Sequence, residues 1–523
     1  MSFSSFNSEG EPRARRRDRL RSLAQTTTFV IKKEINKYYE TSPPPLPPRR
    51  ARSIMSTTSN EPISTEIRRT DTEEIDDIIK NSVPDLIQPQ CMLFPTYACQ
   101  VDDDEQEIHW KIHLAGWAFA NPGSSRLDRW LLAAGRTYGG LSRDTVEDNH
   151  FTTLLNQFRC ETMRMTDIQL TLPGIIAKKI IDDNEELLEL NQQEKIRDFA
   201  ACVNTGPHGR FEEEIYLDTA SVKKLKESSK YLTVEASFTE DEETPFPGYI
   251  DIIDPYGISV ISDIDDTIKI TDILDGKDAI LQNTFFRTAR EVPYMSEVFR
   301  TWVSEGAHIH YVSNSPWQVY PALSKFIVNQ KFPQGSMHLR AVSTQELIIG
   351  KPGKHKLDII PKIIRDFPHR KFILVGDSGE IDAEIYQQIY NEFPDQVIKI
   401  FIHDVTSQRA MDADRLAKDK PDSYYSSLRK FLSRESKLLK KGPSSALAMD
   451  AMASTELPEE QEQILDPEVP LLTKLEQFDQ RMQRVSSQMR EGVFTVFSLA
   501  SQLMLDPVVA EEFLMSKTGD MKI

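Results

Sequence analysis

Residues 257–267 read Gly257-Ile-Ser-Val-Ile-Ser-Asp263-Ile-Asp265-Asp-Thr267, and this apolar run, stopped by two carboxylates one residue apart, decides how the rest of the chain is read. A buried parallel strand is a near-continuous apolar run, and open α/β sheets bind ligands at the carboxyl ends of their strands. Asp263 and Asp265 are therefore expected at such an end. A buried carboxylate is costly unless it is paired, holds a metal or is protonated, so two of them imply either a cation between them or a raised pKa on one. Both suit phosphoryl transfer, with Asp263 attacking phosphorus and Asp265 protonating the leaving alkoxide and then activating water. Acidic pairs also cap helices and bind calcium, so the weight falls on the partners downstream.

Those partners come in order. His308-Ile-His-Tyr-Val-Ser313-Asn314-Ser-Pro-Trp317 reads as a second strand ending in a hydroxyl, which makes Ser313, with Asn314 beside it and Thr267 after the acids, a candidate phosphate contact. Gly350-Lys351-Pro-Gly-Lys354-His-Lys356 opens an apolar-periodic helix through Leu357, Ile360, Ile363 and Ile364. A lysine there would neutralise phosphate and nucleophile. Lys371-Phe-Ile-Leu-Val-Gly376-Asp377-Ser-Gly-Glu-Ile-Asp382 reads as a strand ending in a glycine turn with two more acids. With Asp263 and Asp265, Asp377 and Asp382 complete an oxygen set for an octahedral magnesium ion that keeps several waters. Val397-Ile-Lys-Ile-Phe-Ile402 is a further strand. Alternating strands and helices predict a parallel, doubly wound sheet. The short interval between Thr267 and the Ser313 strand holds too little for a covering cap, so the site is open and needs its substrate or another domain to exclude water. A bilayer or a protein surface would serve equally, and a lipid and a phosphoprotein substrate both stand at this point.

At these residues the chain resembles the haloacid dehalogenase superfamily, and within it the actin-patch phosphatidate phosphatases of fungi. The strings that carry the resemblance are Ser262-Asp-Ile-Asp-Asp-Thr-Ile-Lys, Tyr311-Val-Ser-Asn-Ser-Pro-Trp-Gln, His355-Lys356 and Val375-Gly-Asp-Ser-Gly-Glu-Ile-Asp-Ala-Glu-Ile-Tyr386, within a likeness covering roughly residues 90–405. It implies a haloacid dehalogenase-like, Rossmann-like sheet with little or no cap. It also implies Asp263 as nucleophile, Asp265 as acid/base, Ser313 and Lys356 on phosphate, and Asp377 with Asp382 at the metal. The implied activity is magnesium-dependent dephosphorylation of phosphatidate to diacylglycerol, with SH3-domain partners of the cortical actin and endocytic machinery. Lys356 is chosen by its His-Lys context; Lys351 and Lys354 stay open.

At 523 residues several domains are expected. Cys91, Cys99, Cys160 and Cys202 show no metal-ligand spacing and read as small apolar residues in a reducing compartment. No run approaches the roughly 18 apolar residues of a membrane span, and the start lacks the apolar segment of a secretory signal. The expectation is a cytoplasmic, peripheral protein. A net charge of −18 argues against nucleic acid as a partner. The charge is uneven: residues 1–55 carry about a dozen Lys and Arg against roughly five acids. This arm is either an anionic-lipid contact or a solvated tail.

Within residues 1–87, expected as a disordered basic, Pro-rich arm and acidic linker, Ser42-Pro-Pro44-Pro-Leu-Pro47-Pro-Arg49-Arg50 favours polyproline II. Pro44 and Pro47 followed by Arg49 fit an SH3 groove and its acidic pocket, against the plainer reading of a stiff linker. Residues 88–256 alternate as a β-sandwich-like domain, with a helical insertion near 143–200 that includes Ile175-Ile-Ala-Lys-Lys-Ile-Ile. Trp110 and Trp117 are assigned to its core. The catalytic domain is set at 257–410, a basic amphipathic helix at 411–441, a linker at 442–468 and a helical segment at 469–523. The last is argued from Leu471, Leu475, Phe478, Met482, Val485 and Met489.

Overall fold

The computed structural model describes residues 65–67, 89–102, 108–120, 126–177, 198–219, 222–223, 229–238, 241–340, 353–418 and 472–518. The Pro44, Pro47 and Arg49 motif with its basic arm, Lys351, and residues 419–468 lie outside the described residues. Two compact units divide the chain, one of residues up to His403 plus Met489–Ile523, the other Asp404–Gln488.

The first unit begins with a ten-stranded mixed sheet. Its strands are β1 (Thr65–Ile67), β2 (Gln90–Leu93), β3 (Thr96–Asp102), β4 (Ile108–Ala120), β5 (Glu161–Thr162), β6 (Asp167–Ala177), β7 (Asp198–Asn204), β8 (Arg210–Asp218), β9 (Tyr231–Phe238) and β10 (Asp241–Ile252). Between β4 and β5 stands a helical hairpin, α1 (Arg126–Gly139) and α2 (Val146–Arg159). Two expectations are corrected here. Among the described residues the helices are 126–139 and 146–159, of which the second falls inside the expected insertion, while 161–162, 167–177 and 198–204 are strands and 178–197 lie outside the described residues; Ile175 and Ile176 pair with β1 instead of forming a helix. β-branched residues suit a pleated surface better than a helix. Nor are there two separate sheets: β4, 13 residues long, pairs with β2, β3, β5 and β8 along its length and joins all ten strands into one.

The pleat sends alternate residues of β4 to different cores. Trp110, Ile112 and Leu114 pack with Leu170, Val234 and Ile250 inside the mixed sheet. Trp117 and Phe119 join a second cluster with Val260, Ile309 and Val375. That cluster belongs to a six-stranded sheet of β11 (Ile258–Ser262), β12 (His308–Pro316), β13 (Ser336–Arg340), β14 (Lys371–Asp377), β15 (Val397–His403) and β16 (Phe494–Phe497). Every neighbouring pair is parallel, in the order β13-β12-β11-β14-β15-β16. This is a doubly wound α/β sheet whose order reverses at β11, the place where such sheets bind ligands. Its helices are α3 (Lys277–Leu281), α4 (Met295–Ser304), α5 (Tyr320–Asn329), α6 (Lys354–Asp366) and α7 (Asp382–Glu392).

The sixth strand is a correction of the all-helical reading of 469–523. Val493-Phe-Thr-Val-Phe carries β-formers over too few residues to separate a period of two from one of 3.6, and a partner is offered by the exposed edge of β15. The first unit closes with α10 (Ser501–Met504) and α11 (Pro507–Thr518); the second unit holds α8 (Ser407–Lys418) and α9 (Lys474–Ser486). α9 opens on a capping box of Thr473 and Glu476. Lys399 on β15 pairs with Asp506 before α11 at 2.5 Å, both buried.

The mixed sheet meets the parallel sheet along the latter's amino edge. Asp366, ending α6, accepts from Tyr97 at 2.7 Å and Lys111 at 2.5 Å. Burial opposes its charge, but His113, Lys111 and Tyr97 outweigh this and pull the carboxyl down to about 2. Between the sheets Gly257 has φ +116, and a Cβ there would lie 3.1 Å from the Arg370 guanidinium. That guanidinium, fully buried, donates to Ser259 Oγ and to the carbonyls of Asp254, Tyr256 and Ile258. Arg370→Met would leave those carbonyls unsatisfied, and a stability loss of roughly 3 kcal/mol is expected, read as a lowered urea midpoint.

His310 on β12 is fully buried, with Nδ1 2.7 Å from Ser336 Oγ; burial first, then the neighbouring His338, pushes its pKa well below the ordinary value. Its folded form stays neutral while the unfolded chain takes up a proton below about pH 6.5. Stability is therefore full above that pH and falls as the pH drops, by up to about 1.4 kcal/mol per pH unit. Urea midpoints at pH 7 and 5.5 should show this fall, and His310→Gln should flatten it.

Candidate active site

The site is built at the carboxyl edge of β11, β12 and β14. Asp263 follows β11 directly, and its amide donates to Val375 at 2.9 Å, extending the pairing with β14 by one residue. The chain then turns at Asp266, whose φ of +57 is unusual for a non-glycine residue. Its carboxylate accepts the amides of Thr271, Asp272 and Ile273 at 2.6–2.7 Å, and its own amide reaches Lys269 O. His403 Nδ1 lies 2.7 Å from the Asp266 carbonyl. Asp266 is thus the knot that folds the loop back onto Asp265.

The fold-back decides the surroundings of Asp265. Oδ1 receives Thr271 Oγ1 at 2.6 Å and Lys269 Nζ at 3.0 Å, and Oδ2 receives Ser315 Oγ at 2.7 Å. Burial would raise its pKa, but the Lys269 charge and these hydrogen bonds hold it below the usual carboxylate range. Lys269, Thr271, Ser315 and Asp266 were not singled out from the sequence. Only the polar run Ser313-Asn314-Ser315 hinted at one of them.

Around Asp263 the balance is different. Lys356, on the first turn of α6 and fully buried, lies 2.8 Å from Asp263 Oδ1, 2.5 Å from Asp382 Oδ1 and 3.7 Å from Glu380. Lys354 is exposed, so of the two described lysines Lys356 reaches the site. Thr267 Oγ1 lies 3.3 Å from Asp263 Oδ2 and orients that carboxylate. Ser313 Oγ accepts the Ser315 amide at 3.0 Å. Asn314 donates to Glu380 at 3.0 Å. Asp377 Oδ1 accepts the amides of Gly379 and Glu380. Gly376 lies inside β14 and makes no turn; it is needed because Asp382 Oδ2 would sit 2.5 Å from any Cβ there.

Four acids, Asp263, Asp377, Glu380 and Asp382, thus share one ammonium. Burial above all, then mutual repulsion only partly offset by Lys356, raises the pKa of Asp263 and Asp377 well above the usual range, and that of Glu380 as well. Oxygens of Asp263, Asp377 and Asp382 come within 4.8 Å of one another, and Asp377 Oδ2 and Asp382 Oδ2, both buried, have no hydrogen-bond donor. A hard divalent cation with oxygen ligands fits this set. The Asp265 carboxylate is held apart by its own donors and does not join it.

A doubly wound sheet with an aspartate, a buried lysine and a cluster of acids at its switch point defines an α/β domain arranged for phosphate chemistry. Residues 258–404 match the family model described as phosphatidate phosphatase APP1, catalytic domain. It is 31% identical over 220 residues, 41% of its length and 36% of the relative's, to an uncharacterized protein of Schizosaccharomyces pombe. It is 28% identical over 360 residues, 59% of its length and 58% of the relative's, to the phosphatidate phosphatase APP1 of Saccharomyces cerevisiae. The matches thus span less than two thirds of either relative.

Two outcomes are expected. Magnesium or manganese should raise the thermal unfolding midpoint, and Asp377→Asn should abolish most of that rise. Lys356→Met should cost roughly 3–5 kcal/mol in denaturant titrations, because it strands buried charge.

Proposed function

We propose that this chain is a magnesium-dependent phosphatidate phosphatase of haloacid dehalogenase type, converting phosphatidate to diacylglycerol and phosphate through an aspartyl-phosphate on Asp263. The observation that carries the reading is the pair of environments two residues apart. Asp263 sits beside an ammonium and the acid cluster, and Asp265 sits in a separate cradle of three donors.

An Asp263 oxygen attacks phosphorus as the bond to the glycerol oxygen breaks, and the ionised Asp265 relays to the leaving glycerol oxygen the proton that a phosphatidate monoanion brings on its phosphate, so that diacylglycerol leaves neutral. Asp265 then takes a proton from water, which attacks the aspartyl-phosphate and releases phosphate with Asp263 restored. Lys356 offsets charge on the nucleophile and the phosphoryl oxygens, and Ser313, its oxygen occupied by the Ser315 amide, has its hydroxyl proton for a phosphoryl oxygen. Magnesium held by Asp263, Asp377 and Asp382 would neutralise phosphate charge. The name of the Saccharomyces cerevisiae relative supports phosphatidate as substrate. Recruitment to cortical actin patch membranes from the cytoplasm, through SH3 proteins that read Pro44, Pro47 and Arg49, belongs to the same proposal and rests on the sequence motif.

Purified protein should release phosphate from phosphatidate vesicles with magnesium and not with chelator. Asp263→Asn should lose on the order of a thousandfold or more, as removal of a nucleophile does. Turnover of phosphopeptides in place of phosphatidate would move the substrate to proteins, and silence on both from folded protein would end the enzymatic reading.

A further inference from the structure

We propose that the carboxyl-edge rim of the parallel sheet is the surface on which this protein rests on a bilayer, with Leu274, Tyr294, Ile381 and Leu499 as its apolar contacts. The inference rests on the lipid phosphatase reading above and adds how that site meets its substrate. These four large apolar side chains are exposed, from 40% at Leu274 to 70% at Tyr294. Each is placed at the same edge by a separate link.

Leu274 follows Ile273, whose amide is bound by the Asp266 carboxylate. Tyr294 follows Val292, whose amide donates to Ile268 within the catalytic loop. Ile381 lies between Glu380 and Asp382, and its side chain packs over Gly353 at the start of the helix that carries Lys356. Leu499 leaves the carboxyl end of β16, where Phe497 stacks on His403 at 5.2 Å and His403 in turn reaches Asp266. Tyr294 holds an αL conformation, φ +67, with its ring 70% exposed. A strained backbone that presents an aromatic ring to solvent is a cost without a return inside the monomer.

Exposed apolar side chains gathered on one face mark an interaction surface, and an aromatic ring suits the headgroup boundary of a bilayer. The occupant is a phospholipid surface because the buried acids open on this same face and the substrate's acyl chains lie in one. Exposed Arg287 and Arg290, on the segment between Leu274 and Tyr294, match its negative charge. Binding there would also exclude water from an uncapped site.

The test uses the full chain with Tyr294→Asn and Leu499→Asp together, asparagine being tolerant of αL, and circular dichroism to verify folding. Co-sedimentation with phosphatidylcholine vesicles carrying phosphatidate should weaken at least about tenfold, and turnover of vesicle phosphatidate at limiting lipid should fall with it. Hydrolysis of monomeric dihexanoyl phosphatidate should stay unchanged. Leu514→Asp, exposed on α11, whose first turn lies beside Gly492 ahead of β16 and so away from that rim, should bind vesicles as the unmodified protein does. Unaltered vesicle binding by the double variant would overturn the surface, as would an unmodified protein that hydrolyses the monomeric lipid yet ignores vesicles. An unmodified protein that hydrolyses neither lipid but binds vesicles through these residues would keep the surface and remove the phosphatase reading.

Discussion

One buried ammonium, Lys356, faces three buried carboxylates and the half-buried Glu380, and this imbalance shapes everything around it. Acids taken out of water repel one another strongly, and a single lysine offsets only part of that. Each remaining device in the site limits the cost. Backbone amides of Gly379 and Glu380 bind Asp377, Asn314 binds Glu380, and Thr267 binds Asp263. The oxygens still lacking donors are those a divalent cation would take. The loop from Asp263 to Thr271 removes a further acid from the crowd by giving Asp265 its own lysine.

The large mixed sheet leaves this arrangement undisturbed by docking at the opposite edge. Tyr97, Lys111 and His113 grip the end of α6 at Asp366, and His308 at the start of β12 pairs with Asp251 at 2.8 Å. Toward the catalytic loops the mixed sheet sends Trp117 and Arg210, which pack on the Trp317 ring just after β12 at 6.4 and 5.2 Å, and the α1–α2 hairpin. Arg136 clamps Asp148 across it with two hydrogen bonds, and Phe151 stacks on Phe286 at 4.9 Å. From Phe286 the contacts run inward through Asn283, which donates to the Thr271 carbonyl, to the hydroxyl that holds Asp265. The segment too short to make a cap therefore serves as a seat for a neighbouring domain.

Residues whose chemistry is declared by type and by position at a strand end were legible in the sequence. Asp263, Asp377 and Asp382 are acids at the close of apolar runs, and β11, β12, β14 and β15 are runs with no competing period. Residues that matter through a loop's path were not. Asp266 looks like a third member of an acidic pair and is a knot of backbone amides; Lys269 looks like a solvated charge and is the counter-ion of Asp265. Gly376 reads as a turn residue, yet its role is to let a carboxylate approach. β16 was hidden because five residues cannot declare their period, and Ile175 because its strand runs into a segment of helical composition.

That sixth strand has a consequence for how the domain can be divided. The family match ends at residue 404, but the sheet does not: β15 pairs on its far side with residues 494–497, and Ile400 donates its amide to Val493 at 2.7 Å. A fragment cut at the match boundary would expose an edge strand apolar but for Lys399, Val397-Ile-Lys-Ile-Phe-Ile402, with unpaired amides and carbonyls, a template for pairing with another chain. During synthesis the same edge waits for about ninety further residues before its cover leaves the ribosome, at roughly 5–20 residues per second, so the nascent sheet stays sticky for several seconds after its catalytic residues have been made.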